Sequence, residues 1–251
     1  MLKNELNKIR YSILESCFKT KEGHIGSAFS VVEILYVVFK RYFKKHFFIL
    51  SKGHAAIGLY AIMNHFKILK DKDYKSFCKL NSKLGGHPDS TKLPKVNFST
   101  GSLGHGLPVS SGLAYGLMKR GDKRKIICLI GDQELMEGTT WESLHIISNY
   151  NIKNIILIID RNNSDFRSIK FIKLKKRLSV FCDIITELDG HNIKLFEKSM
   201  SKAMKRKKSF EIIIANTIKG KGIALMENNP EWHHKAPSKK EMNNFKIELK
   251  I

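Results

Sequence analysis

The apolar residues of this chain follow two patterns. In some segments they recur at helical spacing, as Val31, Ile34 and Leu35 do. In others they form short uninterrupted runs, such as Ile126–Ile130 and Ile155–Ile159. Uninterrupted runs of this length are typical of strands that are buried on both faces of a parallel sheet.

Together the two patterns predict alternating strands and helices, with the glycine-containing segment 23–27 interrupting the first two helices. The predicted helices cover residues 3–19, 28–43, 55–69, 107–119 and 137–149, and the predicted strands cover 47–50, 126–130, 155–159, 184–188 and 210–215. This alternation indicates an α/β fold whose parallel sheet is sandwiched by helices. Because no repeat, linker or break in composition divides the chain, we expect one domain over residues 1–251.

The composition is that of a globular protein. Of the 251 residues, 42% are hydrophobic and 27% charged, which excludes wholesale disorder and a fibrous protein. No apolar stretch is long enough to cross a membrane, and the charged N-terminal segment is unlike a secretory signal. We therefore expect a cytoplasmic protein without a membrane partner.

The four cysteines, Cys17, Cys78, Cys128 and Cys182, are widely separated in the chain. This spacing excludes a zinc ribbon and a thioredoxin-like motif. Reduced, mostly buried thiols are the expectation for such residues.

The net charge of +22 makes nucleic acid a candidate partner. The basic residues are scattered, however, and their local clusters at 119–125, 170–177 and 202–208 contain no recognisable nucleic-acid motif. We expect a solvated, lysine-rich surface and no specific nucleic-acid partner, while attraction of phosphorylated small molecules or non-specific polyanion binding remains open.

Polar residues follow the two central predicted strands. Asp132 comes after the first and Asn162 after the second, one strand–helix–strand unit later. Because parallel strands end at the same edge of a sheet, the two side chains can meet there. Their oxygens suit a hard cation such as Mg²⁺ that holds phosphates. Ordinary turn formation or helix capping explains this spacing equally well.

A glycine-rich loop contains Gly101, Gly104 and Gly106 and precedes a predicted helix. Such a loop allows a ligand to approach the backbone closely. The pattern is weak by itself, and it does not fit a nicotinamide-binding fingerprint because no apolar strand clearly precedes it.

Six histidines lie in glycine- or proline-containing loops: His24, His54, His87, His105, His233 and His234. Histidine is suited to proton transfer near neutral pH and to hydrogen bonding with phosphate. A single loop histidine is usually only solvated, but several near one sheet edge favour a shared site. Glu137 and Glu142 lie on one predicted helix, where either could be functional or simply solvated.

In combination, these segments resemble the transketolase family over residues 10–237. The motifs that carry the resemblance appear in the family's order: Gly23-His24-Ile25-Gly26-Ser27, Ser51-Lys52-Gly53-His54-Ala55, Gly86-His87-Pro88-Asp89, Ser99-Thr100-Gly101-Ser102-Leu103-Gly104, Gly131-Asp132, Glu137-Gly138, Trp141-Glu142, Asp160-Arg161-Asn162, Asp189-Gly190-His191-Asn192, Lys219-Gly220-Lys221-Gly222 and Glu231-Trp232-His233. The chain is similar to the separately encoded N-terminal half of a split transketolase, the half that binds thiamine diphosphate.

The resemblance implies the following roles. Asp132, Asn162 and the backbone carbonyl of Ser164 would ligate Mg²⁺ or Ca²⁺. The cofactor would be lined by His54, Gly101, Ser102, Leu103, Gln133, Asn162 and His233. The donor ketose would be contacted by His24, His87 and His233, which would help to move its protons, and Glu137 would bridge towards the second cofactor site of a dimer.

The implied reaction is transfer of a two-carbon ketol unit between sugar phosphates. The glutamate that activates the cofactor lies in the family's other half. The resemblance therefore implies a partner, the C-terminal transketolase subunit, in an α2β2 assembly. A thiamine diphosphate enzyme acting on another donor, a non-catalytic homologue that serves as a binding or scaffold partner, and a polyanion-binding protein are the alternatives.

Four positions depart from the family pattern, all near the expected cofactor. Gln133 replaces a glycine, and we expect its side chain to crowd the diphosphate or to force a costly backbone conformation. His105 replaces a glutamine, and His234 replaces a glycine. The segment 163–167 replaces a glycine-containing apolar segment.

Overall fold

Five parallel strands form one sheet in the computed structural model, which describes residues 2–162, 171–207 and 209–251. The strands are β1 (Phe47–Leu50), β2 (Ile126–Gly131), β3 (Ile155–Arg161), β4 (Ile185–Asp189) and β5 (Glu211–Asn216), in the spatial order β1-β2-β3-β5-β4. Each strand pairs in parallel with its neighbours. The predicted parallel sheet and all five predicted strands are confirmed.

Helices cover both faces of this sheet. They are α1 (Leu2–Thr20), α2 (Ile25–Phe29), α3 (Val32–Arg41), α4 (Ala56–His65), α5 (Asp71–Tyr74), α6 (Gly106–Lys119), α7 (Gly138–Asn149), α8 (Leu174–Leu178), α9 (Ile193–Lys205) and α10 (Lys239–Glu248). Short 3₁₀ turns at Gly53–Ala55, Asp132–Met136 and Pro230–Trp232 lie between the longer elements.

The apolar runs of the strands separate into two cores because successive side chains point to opposite faces of a sheet. In β2, Ile127 and Leu129 join the core beneath α1–α4, α9 and α10. Their neighbours Ile126, Cys128 and Ile130 join the core beneath α6, α7 and α8. A strand with helices on both sides therefore has no polar face, which explains why β2 is apolar without interruption.

The structure corrects the prediction for residues 23–43. A single helix was expected from Ala28, after an interruption at 23–27. Instead α2 already begins at Ile25, and the helical run breaks between Ser30 and Val31 before α3. The break occurs where the Ser30 hydroxyl donates a hydrogen bond to the buried Asp160 carboxylate, at 2.7 Å. This contact joins residues that are far apart in the chain, so the local pattern could not reveal it.

Two further expectations concern the whole chain. Cys17, Cys128 and Cys182 are buried free thiols and Cys78 is a half-buried one, as expected. Among the residues that the structure describes, no helix is both long and apolar enough to cross a membrane.

The two-faced burial predicts a large penalty for shortening a central strand residue. Ile158 of β3 is fully buried, so Ile158→Ala should lower the free energy of unfolding by about 2–5 kcal/mol through lost burial and the cavity left behind. Urea unfolding of the purified chain measures this.

Ile247→Ala is the matched control, because Ile247 is 76% exposed on α10 and the change should stay within about 0.5 kcal/mol. Equal penalties for the two variants would contradict the assignment of β3 to the centre of the core.

Candidate functional site

A cavity of about 750 Å³ opens at the carboxyl ends of β1, β2 and β3. This volume falls within the usual range of small-molecule and cofactor sites, and the position is where open α/β sheets bind ligands. The lining residues are His24, Ser27, Lys52, His54, Gly101, Leu103, Gly131, Asp132, Gln133, Glu134, Met136, Glu137, Asn162, Lys219, Pro230, Glu231 and His233.

Asp132 and Asn162 lie in this cavity, as their positions after adjacent strands predict. Gly131 of β2 pairs in register with Asp160 of β3, so the two following turns lie side by side. Asp132 is only 5% exposed and Asn162 only 6%. The two candidate cation ligands therefore line the same cavity, whereas Ser164, the third expected ligand, lies outside the described residues.

A buried carboxylate holds Asn162. The amide nitrogen of Asn162 donates to Asp160 Oδ2 at 3.1 Å, which places the amide oxygen, the atom that can ligate a cation, on the other side of the group. Asp160 has no exposed surface and forms an ion pair with Lys52. Although burial acts to raise the pKa of Asp160, the adjacent Lys52 and the hydrogen bonds keep it below its ordinary value. Asp160 is therefore an ionised acceptor that orients Asn162.

These donors fit a hard divalent cation. One carboxylate, one amide oxygen and a backbone carbonyl are a common oxygen set for Mg²⁺ or Ca²⁺. The set contains only one acidic residue, and within residues 2–162, 171–207 and 209–251 no three histidine, cysteine or acidic side chains converge on a common metal position. The chemistry of the donors thus agrees with an oxygen-ligated ion rather than with a transition-metal centre.

Glu134 joins three segments of the cavity wall, a role that the sequence analysis missed. Its carboxylate accepts hydrogen bonds from Ser51 Oγ at 2.5 Å and from the backbone N–H groups of Gly104 at 2.9 Å and Gly131 at 2.8 Å. Burial raises the pKa of Glu134, while these donors act in the opposite direction. The available signal was its position three residues beyond Gly131, inside a turn that follows a buried strand.

Gln133 does not cause the expected backbone strain. It belongs to the 3₁₀ turn Asp132–Met136, and the described non-glycine residues with positive φ do not include it. The prediction of a costly backbone conformation is therefore wrong. Its half-buried side chain does line the cavity, so crowding of a ligand stays a prediction.

Two glycines bring the glycine-rich loop against the rest of the site. Gly104 has φ of +79°, and a Cβ there would lie 2.4 Å from Glu137 Cβ. A Cβ at Gly106 would lie 2.3 Å from the Ser51 side chain. This close packing presents Gly101 and Leu103 to the cavity, whereas Ser102 is exposed and is not part of its lining.

The structure brings five of the six loop histidines together. The His24 ring centroid lies 4.7 Å from that of His234, 5.1 Å from His233, 5.5 Å from His54 and 6.4 Å from His87. The cavity lining includes the rings of His24, His54 and His233.

The histidine cluster is largely uncharged at neutral pH. Burial, together with the neighbouring histidines and Lys219, lowers the pKa of His24 to about 4. Burial and nearby Lys52 also lower the pKa of His54 well below its ordinary value. Neutral imidazoles can both donate and accept hydrogen bonds, as proton relays require. The sixth histidine, His105, is exposed at the start of α6 and is not part of this cluster.

Lys219 is a second residue that the sequence analysis left without a role. It lines the cavity, is only 5% exposed, and places Nζ 2.7 Å from His233 Nδ1. The signal was its place in the quoted Lys219–Gly222 segment. A buried cation here suits a phosphorylated ligand.

The candidate glutamates differ from the buried one. Glu137 and Glu142 are both exposed, and only Glu137 lines the cavity, next to exposed Met136. Glu137 therefore lies at the cavity rim, where a second chain could reach it.

Comparison with known proteins identifies the family. A profile described as "Transketolase, thiamine diphosphate binding domain" matches residues 2–250. The chain belongs to the transketolase family, as the N-terminal thiamine diphosphate-binding domain. Its fold agrees with this, because it superimposes on a transketolase from Campylobacter jejuni with a TM-score of 0.89, at 27% identity, over 100% of this chain and 43% of that one.

Relatives of this transketolase domain fall into two lengths. One of the two separately named subunits of an apulose-4-phosphate transketolase, from Actinobacillus succinogenes, is 36% identical over 245 residues, which cover 91% of this chain and 88% of that protein. Human transketolase is 35% identical over 254 residues, which cover 93% of this chain but only 40% of the human enzyme. The domain thus spans nearly all of the shorter relative and less than half of a full-length transketolase.

The buried pair beneath the metal candidates predicts a strong stability effect. Asp160→Ala leaves Lys52, which is only 1% exposed, without its carboxylate, so the free energy of unfolding should fall by about 3–5 kcal/mol. Chemical denaturation measures the change.

Glu197→Ala serves as control, because it removes the partner of Arg41 in a largely exposed ion pair, where the loss should stay below about 1 kcal/mol. A similarly small effect of Asp160→Ala would show that the carboxylate does not hold this edge of the sheet.

Proposed function

We propose that the chain is the N-terminal subunit of a split transketolase, a single domain over residues 1–251 that binds thiamine diphosphate and Mg²⁺ or Ca²⁺. The observation that carries the proposal is the placement of buried Asp132 and Asn162 in one cavity, with Asp160 orienting the Asn162 amide. Membership of the family and the glycine-rich loop on the same cavity support it.

The proposed holding groups divide by chemistry. Asp132, Asn162 and, beyond the described residues, the Ser164 carbonyl would bind the cation. Lys219 would add positive charge for the diphosphate, and His54, Gly101, Leu103 and Gln133 would line the cofactor. Ser102 would contribute its backbone, since its side chain is exposed.

When bound, thiamine diphosphate supplies the nucleophilic carbon that the protein's own side chains lack. The chain's histidines would do the polar work on the substrate. His24, His87 and His233 would contact the hydroxyls of the donor ketose, and the neutral state of His24 lets it accept or give a proton without first losing one. The proposed reaction moves a two-carbon ketol unit from a ketose phosphate to an aldose phosphate.

The proposed partner is a C-terminal transketolase subunit, in an α2β2 assembly. Relatives of matching length that are named as single subunits of a transketolase support a divided enzyme, and two-fold symmetry is common in such assemblies. Exposed Glu137 and Met136 at the cavity rim are the residues that such a partner would cover, and Glu137 would bridge towards the second cofactor site.

The alternative of a non-catalytic homologue loses one of its two reasons. Gln133 was expected to strain the turn, yet the 3₁₀ turn accommodates it without positive φ. The other reason, the unusual segment 163–167, lies outside the described residues. A related enzyme that acts on another donor would share the same cavity, and a panel of donor ketoses separates it from a transketolase.

Asp132→Ala tests the proposed metal site. Removing the one carboxylate among the candidate ligands should weaken Mg²⁺-dependent thiamine diphosphate binding more than about a hundredfold, beyond the range typical of indirect effects. Calorimetry measures binding, and circular dichroism checks that the variant is folded.

The control is Asp122→Ala, which removes a carboxylate from the exposed turn before β2 and should leave binding unchanged. Wild-type affinity in a folded Asp132→Ala protein would overturn the metal assignment.

A further inference from the structure

His191 lies behind the cofactor cavity, next to the segment that carries Lys219. It follows β4 in the Asp189–Asn192 motif and is not among the residues that line the cavity. Its side chain is 12% exposed. Nothing in the proposed mechanism uses this histidine, yet both of its ring nitrogens are engaged.

The two contacts of His191 determine its tautomer. The backbone N–H of Ile218 donates to His191 Nε2 at 2.9 Å, so Nε2 carries no proton. The proton of the neutral ring is therefore on Nδ1, which lies 3.0 Å from Glu33 Oε2 and donates to it. The ring thus links the backbone of one loop to a carboxylate on α3.

Glu33 is itself fixed. Arg10 Nη2 on α1 donates to its two oxygens at 2.7 and 2.9 Å, and both residues are buried. Although burial acts to raise the pKa of Glu33, Arg10 and His191 hold it below its ordinary value. An ionised carboxylate that is anchored by an arginine keeps the imidazole in one orientation.

The residue next to Ile218 is Lys219, and its backbone is held on both sides. On one side Ile218 is bound by His191, and on the other the N–H of Gly220 donates to Gly26 O at 3.0 Å. Between these two anchors the Lys219 side chain enters the cavity, where Nζ lies 2.7 Å from His233 Nδ1.

We propose that His191 is a positioning residue of the cofactor site: by accepting the Ile218 N–H, in a tautomer fixed by Glu33 and Arg10, it holds Lys219 in the cavity. The effect on cofactor affinity rests on the proposed function, whereas the effect on the loop does not. The role is indirect, since His191 itself touches neither the cavity nor His233.

His191→Leu and His191→Gln test this proposal in the full chain. Leucine removes the acceptor, so amide hydrogen exchange in peptides covering 216–221 should become at least about tenfold faster, and Mg²⁺-thiamine diphosphate should bind about tenfold more weakly, as is typical for residues behind a first contact shell. Glutamine can place an oxygen near the Nε2 position, so it should restore part of both losses.

His46→Leu is the matched control. His46 Nδ1 also accepts a backbone N–H, that of Lys125 at 3.1 Å, but at the amino ends of β1 and β2, far from the cavity edge of the sheet. Its loss removes the same kind of bond, and cofactor affinity should not change. Melting temperatures of all variants separate loss of stability from loss of positioning.

Wild-type affinity in His191→Leu, or a loss as large in His46→Leu, would overturn the positioning role. If the wild-type chain bound no cofactor, the proposed function would fall, and hydrogen exchange alone would decide on His191. Faster exchange confined to 216–221 in His191→Leu would then still support its hold on the Lys219 loop, and unchanged exchange would refute it.

Discussion

The Asp160 carboxylate lies at the carboxyl end of β3 without any exposed surface. A charge so deeply buried is tolerated only when it is paired and hydrogen-bonded. Lys52 supplies the opposite charge from the turn after β1, while Ser30 and Thr217 donate their hydroxyls and Asn162 its amide N–H. One carboxylate thus gathers segments from four parts of the chain, and each of them continues into the cavity wall.

The fold could be predicted from the sequence because its signal is local. The five apolar runs gave strands whose ends agree with the structure to within two residues. Continuous apolarity reflects burial on both faces, and that condition acts on each strand separately. The break between α2 and α3 was missed because it depends on a bond from Ser30 to Asp160, which no local pattern contains.

The site was predictable only in part, for the same reason. Topology brings Asp132 and Asn162 to one edge of the sheet, so their meeting followed from the order of the strands. Glu134 and His191 were missed because their importance comes from partners in distant segments, such as Ser51 for Glu134 and Glu33 for His191. Gln133 was misjudged because the expected strain assumed a glycine-like conformation, whereas the 3₁₀ turn suits any residue.

Calorimetric titration of thiamine diphosphate into the wild-type chain, bound to its C-terminal transketolase partner, tests the central claim most directly. The account predicts saturable binding at one site per chain in the presence of Mg²⁺, and loss of that binding when a chelator removes the cation. Absence of binding in an assembly shown to have formed, or binding that is indifferent to divalent cations, would contradict it.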